Sequence, residues 1–133
     1  MKKNESLGIF TLRVSLGVLM LLHGIAKIQK GVGGIAGMME QSGLPSFFAN
    51  GVYVGEVIAP ILLIVGFRTR IASIFFAGTM VVAVVIAHGS DIVKLTQSGG
   101  WAIELQALYF FGTVTLFFTG GGKYALSNNN RWD

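Results

Sequence analysis

The chain has 133 residues, 53% of them hydrophobic and 12% charged, with a net charge of +4 and a mean hydropathy of +0.68. Soluble domains carry about 25% charged residues, so this composition points to membrane insertion. The absence of cysteine excludes a disulfide framework, a thiolate metal site and a cysteine nucleophile. The positive charge is dispersed at the ends of apolar runs, with no Lys/Arg tract of the kind that tracks phosphates, which argues against nucleic-acid binding.

After a short polar start, MKKNES, the first apolar run predicts a span over about residues 7–26. Basic residues before an apolar run resemble a secretory signal. This run, however, continues past Leu22 without an A-x-A-like site and has the length of a bilayer crossing, so it reads as a retained span. Residues 27–50 turn polar and glycine-rich. Within them Ile35, Met38 and Met39 recur at helical spacing before the stop signals Gly43 and Pro45, which predicts a short interfacial helix. A second span follows over about 48–67, with Glu56 and Pro60 one turn apart inside it; Pro60 predicts a kink and a freed carbonyl. Arg68-Thr69-Arg70 leaves room only for a tight turn. The third span, about 71–87, contains no charge, and a polar loop runs to Gly100. The fourth span, about 101–119, opens on Trp101, carries Glu104 and Gln106 early and closes at Gly120-Gly121-Gly122. The last stretch, KYALSNNNRWD, is polar and reads as surface-bound or frayed.

The predicted fold is thus an all-α membrane protein: an antiparallel four-transmembrane-helix bundle with a short interfacial helix between spans 1 and 2, forming one integral domain over residues 1–133. Four spans put both termini on one side. Lys2, Lys3, Arg68, Arg70, Lys123 and Arg131 fall on that side, and Lys27, Lys30 and Lys94 opposite, which places the termini in the cytoplasm by the positive-inside rule.

Charge inside a span is costly and marks either a pair or a function. Helix rise puts His23, Lys27, Glu56, His88 and Glu104 in the outer half of the membrane, leaving Arg13 alone in the inner half. Arg13, Gly17, Gly24 and Lys27 share one stripe of the first span; Glu104, Leu108, Phe111 and Thr115 share one on the fourth, expected to face the interior. The candidate polar cluster is therefore Glu56, Glu104, His23, Lys27, Arg13 and His88. Its plainer reading is structural: Glu56 paired with Lys27 or Arg13, Glu104 partly hydrated, both histidines interfacial, and Arg13 a helix–helix contact. In the same reading Arg68 and Arg70 set topology, and Tyr53 and Trp101 belong to the aromatic belt. Two His and two Glu match metal-ligand types, but no H-x-x-H or E-x-x-H pair occurs, so no metal is expected. A carboxylate, a basic group and aromatic walls suit a quinone headgroup, and suit a proton-relaying carboxylate equally well.

LRVSLGVLMLLHGIAKI, GLP, GEVIAPILLIVGFRTRIAS, WAIELQALYFF and a final GGGK together resemble the DoxX family of small bacterial membrane proteins. The resemblance runs from about Leu12 to Leu126. It implies a four-span inner-membrane protein with cytoplasmic termini, similar to the DoxD-type subunit of thiosulfate:quinone oxidoreductase, with Arg13, His23, Gly24, Lys27, Glu56, Arg68 and Glu104 at family positions. Lacking cysteine, the chain would need a partner for any thiol chemistry. Three functions follow as alternatives. The first is an accessory or quinone-interacting subunit of a membrane redox system, working with a soluble or membrane oxidoreductase rather than catalysing alone. The second is a scaffold, homo-oligomeric or bound to a partner in the bilayer, whose buried charges only specify helix packing. The third is a small-molecule or proton carrier using Glu56.

Overall fold

The computed structural model describes residues 4–133. Lys2 and Lys3, which entered the topology count, lie outside them. Among the described residues every regular element is helical, with one isolated bridge between Leu95 and Trp101. Helix α1 is Glu5–Lys30, α2 is Gly33–Gln41, α3 is Ser46–Val65, α4 is Thr69–Ala87 and α5 is Glu104–Thr119. The ends of α1 follow from its sequence. The Asn4 side chain accepts the Leu7 N–H at 3.1 Å, Glu5 sits in the first turn, and Lys27 and Lys30 in the last, each complementing the helix dipole.

Helices α1, α3 and α4 are long and apolar enough to cross a membrane. The fourth apolar run is helical only from Glu104, for 16 residues. That is ~24 Å of helix, shorter than the expected 101–119 span. Residues 101–103 instead belong to the preceding loop, where the Trp101 indole N–H donates to the Ile92 carbonyl at 2.7 Å.

Helices α1 and α3 meet closely and run antiparallel. A Cβ on Gly17 would lie 2.9 Å from the Pro60 carbonyl oxygen, and one on Gly24 would overlap the Glu56 carbonyl outright. Small residues at these two positions let the backbones meet, as interfaces between membrane helices require. Pro60 explains why the Glu56 carbonyl is there to be met. Proline has no N–H to give the carbonyl one turn back. Helix α3 takes a wide π-helical turn over Val54–Ile58, the turn just before Pro60. That turn packs on α4, with Gly55 against Thr79.

Helix α4 packs on α3 and α5, and α5 returns against α1 through Leu16 and Gly112. The core between them is Leu16, Met20, Leu63, Phe76, Tyr109 and Leu116. The inward face of α5 is Tyr109, Thr113 and Leu116. This corrects the expected stripe: Leu108 and Phe111 point outward, at 67% and 62% exposure.

Of the two expectations for the C-terminal stretch, surface-bound or frayed, the structure has it bound. The Leu126 and Ser127 N–H groups donate to the carbonyls of Val65 and Gly66, closing the end of α3. The buried Asp133 carboxylate takes Arg68 Nη1 at 3.2 Å, Ser127 Oγ at 2.7 Å and the Asn130 N–H at 2.7 Å. Arg70 donates to the Arg131 carbonyl at 3.2 Å. The arginines expected to set topology thus also bind this segment.

Candidate functional site

Two polar regions sit at opposite ends of the helices. At the end closed by the C-terminal segment, Arg13 is fully buried. Its Nη1 donates to the carbonyls of Leu63 and Ile64, and its Nη2 to that of Tyr124 at 3.1 Å. The Phe10 ring lies 5.6 Å below the guanidinium. A cation over the carbonyls that end α3 is favoured by the helix dipole. Arg13 and Glu56 are far apart; residues 13 and 27 alone are ~21 Å apart along α1. Arg13 therefore fixes the end of α3 and does not join the cluster around Glu56.

The other end is hollow. A cavity of about 800 Å³ is lined by all five helices, a size in the range of small-molecule sites. Its walls are mainly apolar: Met20, Met38, Met39, Val52, Met80 and Ile86 among others. Its polar groups are His23 and Lys27 from α1, Glu56 from α3, Thr79 from α4 and His88 after it, and Gln106 and Tyr109 from α5. Lys27 Nζ lies 3.9 Å from Glu56 Oε1. Tyr53 Oη donates to the Lys27 carbonyl at 3.4 Å, tying the end of α1 to α3. His23 meets the edge of the Tyr109 ring at 6.4 Å between centroids, and Tyr109 in turn packs on Phe76.

Glu56 is 7% exposed, and its Oε2 is buried with no hydrogen-bond partner among the described residues. A buried acceptor left unmet costs about 1–3 kcal/mol, more for a charged group. The wide turn of α3 places this carboxylate in the cavity, where Lys27 is its ion-pair partner and His23 shares the lining.

The remaining predicted site residues divide. His88 lines the cavity rim, and its Nδ1 sits 3.2 Å from Asp91 Oδ2. Lys94 Nζ approaches the other Asp91 oxygen at 3.0 Å. These two partners hold the Asp91 carboxyl below the usual carboxylate range, Lys94 first and His88 second. Glu104 is exposed and does not enter the cavity; its carboxylate folds back over Gly100 in the loop. At the first position of α5 it is free to swing outward, so the fourth helix contributes Gln106 and Tyr109 instead. Sequence reasoning named neither of these as a site residue, although their i, i+3 spacing was available as a signal. No three His, Asp or Glu side chains converge at metal-ligating range among the described residues.

Fold and cavity together define a small helical membrane protein with a ligand-sized, mostly apolar chamber at one end. The DoxX family model matches residues 8–89, a stretch holding Arg13, His23, Lys27, Glu56 and His88, and the chain belongs to the DoxX family. It is 32% identical to "Putative oxidoreductase CatD" of Bacillus subtilis, over 95% of this chain and 89% of that protein. It is 27% identical to "Inner membrane protein YqjF" of Escherichia coli, over 99% of this chain and all of that protein. An uncharacterized protein of Haemophilus influenzae is 30% identical over 88% of this chain and 86% of its own length. No solved structure matches the chain.

Proposed function

We propose that this protein is an accessory, quinone-interacting subunit of a redox system in the bacterial inner membrane. It forms one integral domain of four antiparallel spans with cytoplasmic termini, and the cavity end lies in the outer half of the bilayer. One observation carries the reading: a buried carboxylate with one oxygen beside Lys27 and the other unmet inside a ligand-sized cavity. A pair built only to join helices would satisfy both oxygens, because desolvating a carboxylate is repaid only when its remaining lone pairs are bonded. The relatives' names point the same way, one to an oxidoreductase and one to the inner membrane. In this reading Lys27 and Glu56 hold the two sides of a quinone or hydroquinone ring, His23 and Tyr109 wall it, and a partner oxidoreductase supplies the electrons. The chain itself binds and orients.

The test is purification in mild detergent from a quinone-containing membrane, followed by quinone analysis of the extracted lipid. The wild-type protein is expected to carry quinone well above protein-free micelles, and Glu56→Gln to lose it while still folding. Quinone no higher than in the micelle blank would remove the reading and leave the scaffold alternative.

A further inference from the structure

The cavity has a second feature that its polar end does not require. It runs along α4 from Ile74 to His88, ~21 Å at the helical rise. Lys27 and His88 lie toward the His88 end and Glu56 near the level of Thr79, while the opposite stretch is mainly apolar, with Tyr109 beside Phe76 and the Thr79 hydroxyl bonded back to the Phe75 carbonyl at 3.0 Å. On that stretch Ile74, Phe75 and Val82 line the cavity, yet they are 48%, 52% and 44% exposed on the flank of a membrane-spanning helix. A side chain that lines a cavity and also faces the surroundings marks an opening. Here the opening lies within the apolar length of α4, away from its ends. Gly78 sits in the middle of this row, and a Cβ built on it meets nothing within 4 Å. Helix α2 lies over the cavity, with Ile35, Met38 and Met39 turned into it and α4 at its side.

Resting on the quinone-site reading above, we infer that the cavity is entered sideways from the bilayer past Gly78, and that its ligand is a long-chain amphiphile whose hydroxyl head donates to the unmet Oε2 of Glu56. The head reaches Glu56 and Lys27 while its hydrocarbon tail leaves between Phe75 and Val82 into lipid. A hydroxyl fits because an ionised carboxylate beside Lys27 can only accept. A hydrocarbon tail fits because Ile74, Phe75 and Val82 give the lower chamber a mainly apolar wall, and the Thr79 hydroxyl there is already bonded to the Phe75 carbonyl. A ligand of this class needs no aqueous path, and its concentration in the bilayer sets occupancy.

The test uses the full chain in phosphatidylcholine nanodiscs with two probes: a hydroquinone bearing a ten-carbon tail, and the same hydroquinone without it. Retained probe is quantified after removal of the free compound. Wild type is expected to retain the tailed probe at near-stoichiometric level and the tail-less one far less. Gly78→Phe is expected to raise the Kd for the tailed probe roughly tenfold, with Gly78→Ala close to wild type. Val82→Trp, on the next turn of the same row, is a second plug should Gly78→Phe accumulate poorly. If both plugs retain the tailed probe like wild type while Glu56→Gln or Lys27→Gln loses it, the sideways entry is overturned and the headgroup site stands. If wild type retains neither probe, or all variants retain both equally, the headgroup site and the sideways entry fall together.

Discussion

The two ends of this protein bury charge in opposite ways. At the closed end Arg13 spends both terminal nitrogens on three backbone carbonyls from α3 and the C-terminal segment. The packing around it is tight: Cβ atoms at Gly66 and Gly122 would meet Arg13 and Ile9. At the cavity end Glu56 has a lone, long ion pair, an unmet oxygen and about 800 Å³ of space. A buried charge whose terminal nitrogens both close on backbone, with only Arg13 Nε left over, is a fastener. One held beside a cavity with spare bonding capacity is a receptor. The difference lies in the partners and in the empty volume, since both residues are equally improbable in an apolar span.

This contrast can be broken or sharpened by substitution. Arg13→Ala should have the largest effect, because it strips three carbonyls of a charged donor; about 3–5 kcal/mol of stability is expected to go. Thermal unfolding in detergent and the amount of protein in the membrane both read this. A variant as stable as wild type would show that the closed end is not fastened by Arg13. Gly24→Ala should cost about 1–3 kcal/mol, because the new methyl meets the Glu56 carbonyl and α1 must move off α3. Gly78→Ala is its control, with open space at the Cβ and a better helix former, and should unfold no earlier than wild type.

Glu56→Gln should cost only about 1 kcal/mol, since its partner Lys27 is a third exposed and the pair is long. Its expected effect is on ligand retention. If it destabilises as much as Arg13→Ala, both ends are fasteners and the distinction disappears. The smallest effect is an acid one, confined to the closed end. Burial alone would raise the Asp133 carboxyl, but the Ser127 hydroxyl, the Asn130 N–H and Arg68 outweigh it and hold it below its usual range. A depressed folded value means that its contribution is complete above the ordinary carboxylate range and fades as pH falls through the lower, folded one. Limited proteolysis of residues 123–133 should therefore accelerate under acid before the helices unfold, and Asp133→Asn should show that acceleration already at neutral pH. Cleavage independent of pH in both proteins would rule out the latch.

Much of this was legible in the residues. Apolar length marked α1, α3 and α4, and the stripe of Arg13, Gly17, Gly24 and Lys27 does face α3, because charge and glycine stand out on an otherwise apolar helix. The face of α5 was misjudged for the converse reason. Glu104 is a poor marker of orientation, since a carboxylate at the first position of a helix is free to turn away. The better guides were the small and hydroxylated residues Gly112 and Thr113, which mark contact sides between membrane helices. The C-terminal segment was unreadable because main-chain bonds hold much of it, and these leave no side-chain signature. The widened turn of α3 was half legible: Pro60 announced a disturbance, but only the approach of α1 shows how the helix resolves it.

Arg13 has a consequence for how the chain comes into being. Its carbonyl partners at Leu63 and Ile64 arrive with the third helix, while that at Tyr124 lies 111 residues downstream. During synthesis α1 and α3 are made with the buried cation one partner short, and it stays so until α4 and α5 have followed. The C-terminal segment therefore completes a bond begun on α1, and a nascent chain stalled before Tyr124 would hold α1 and α3 together with that cation still seeking an oxygen.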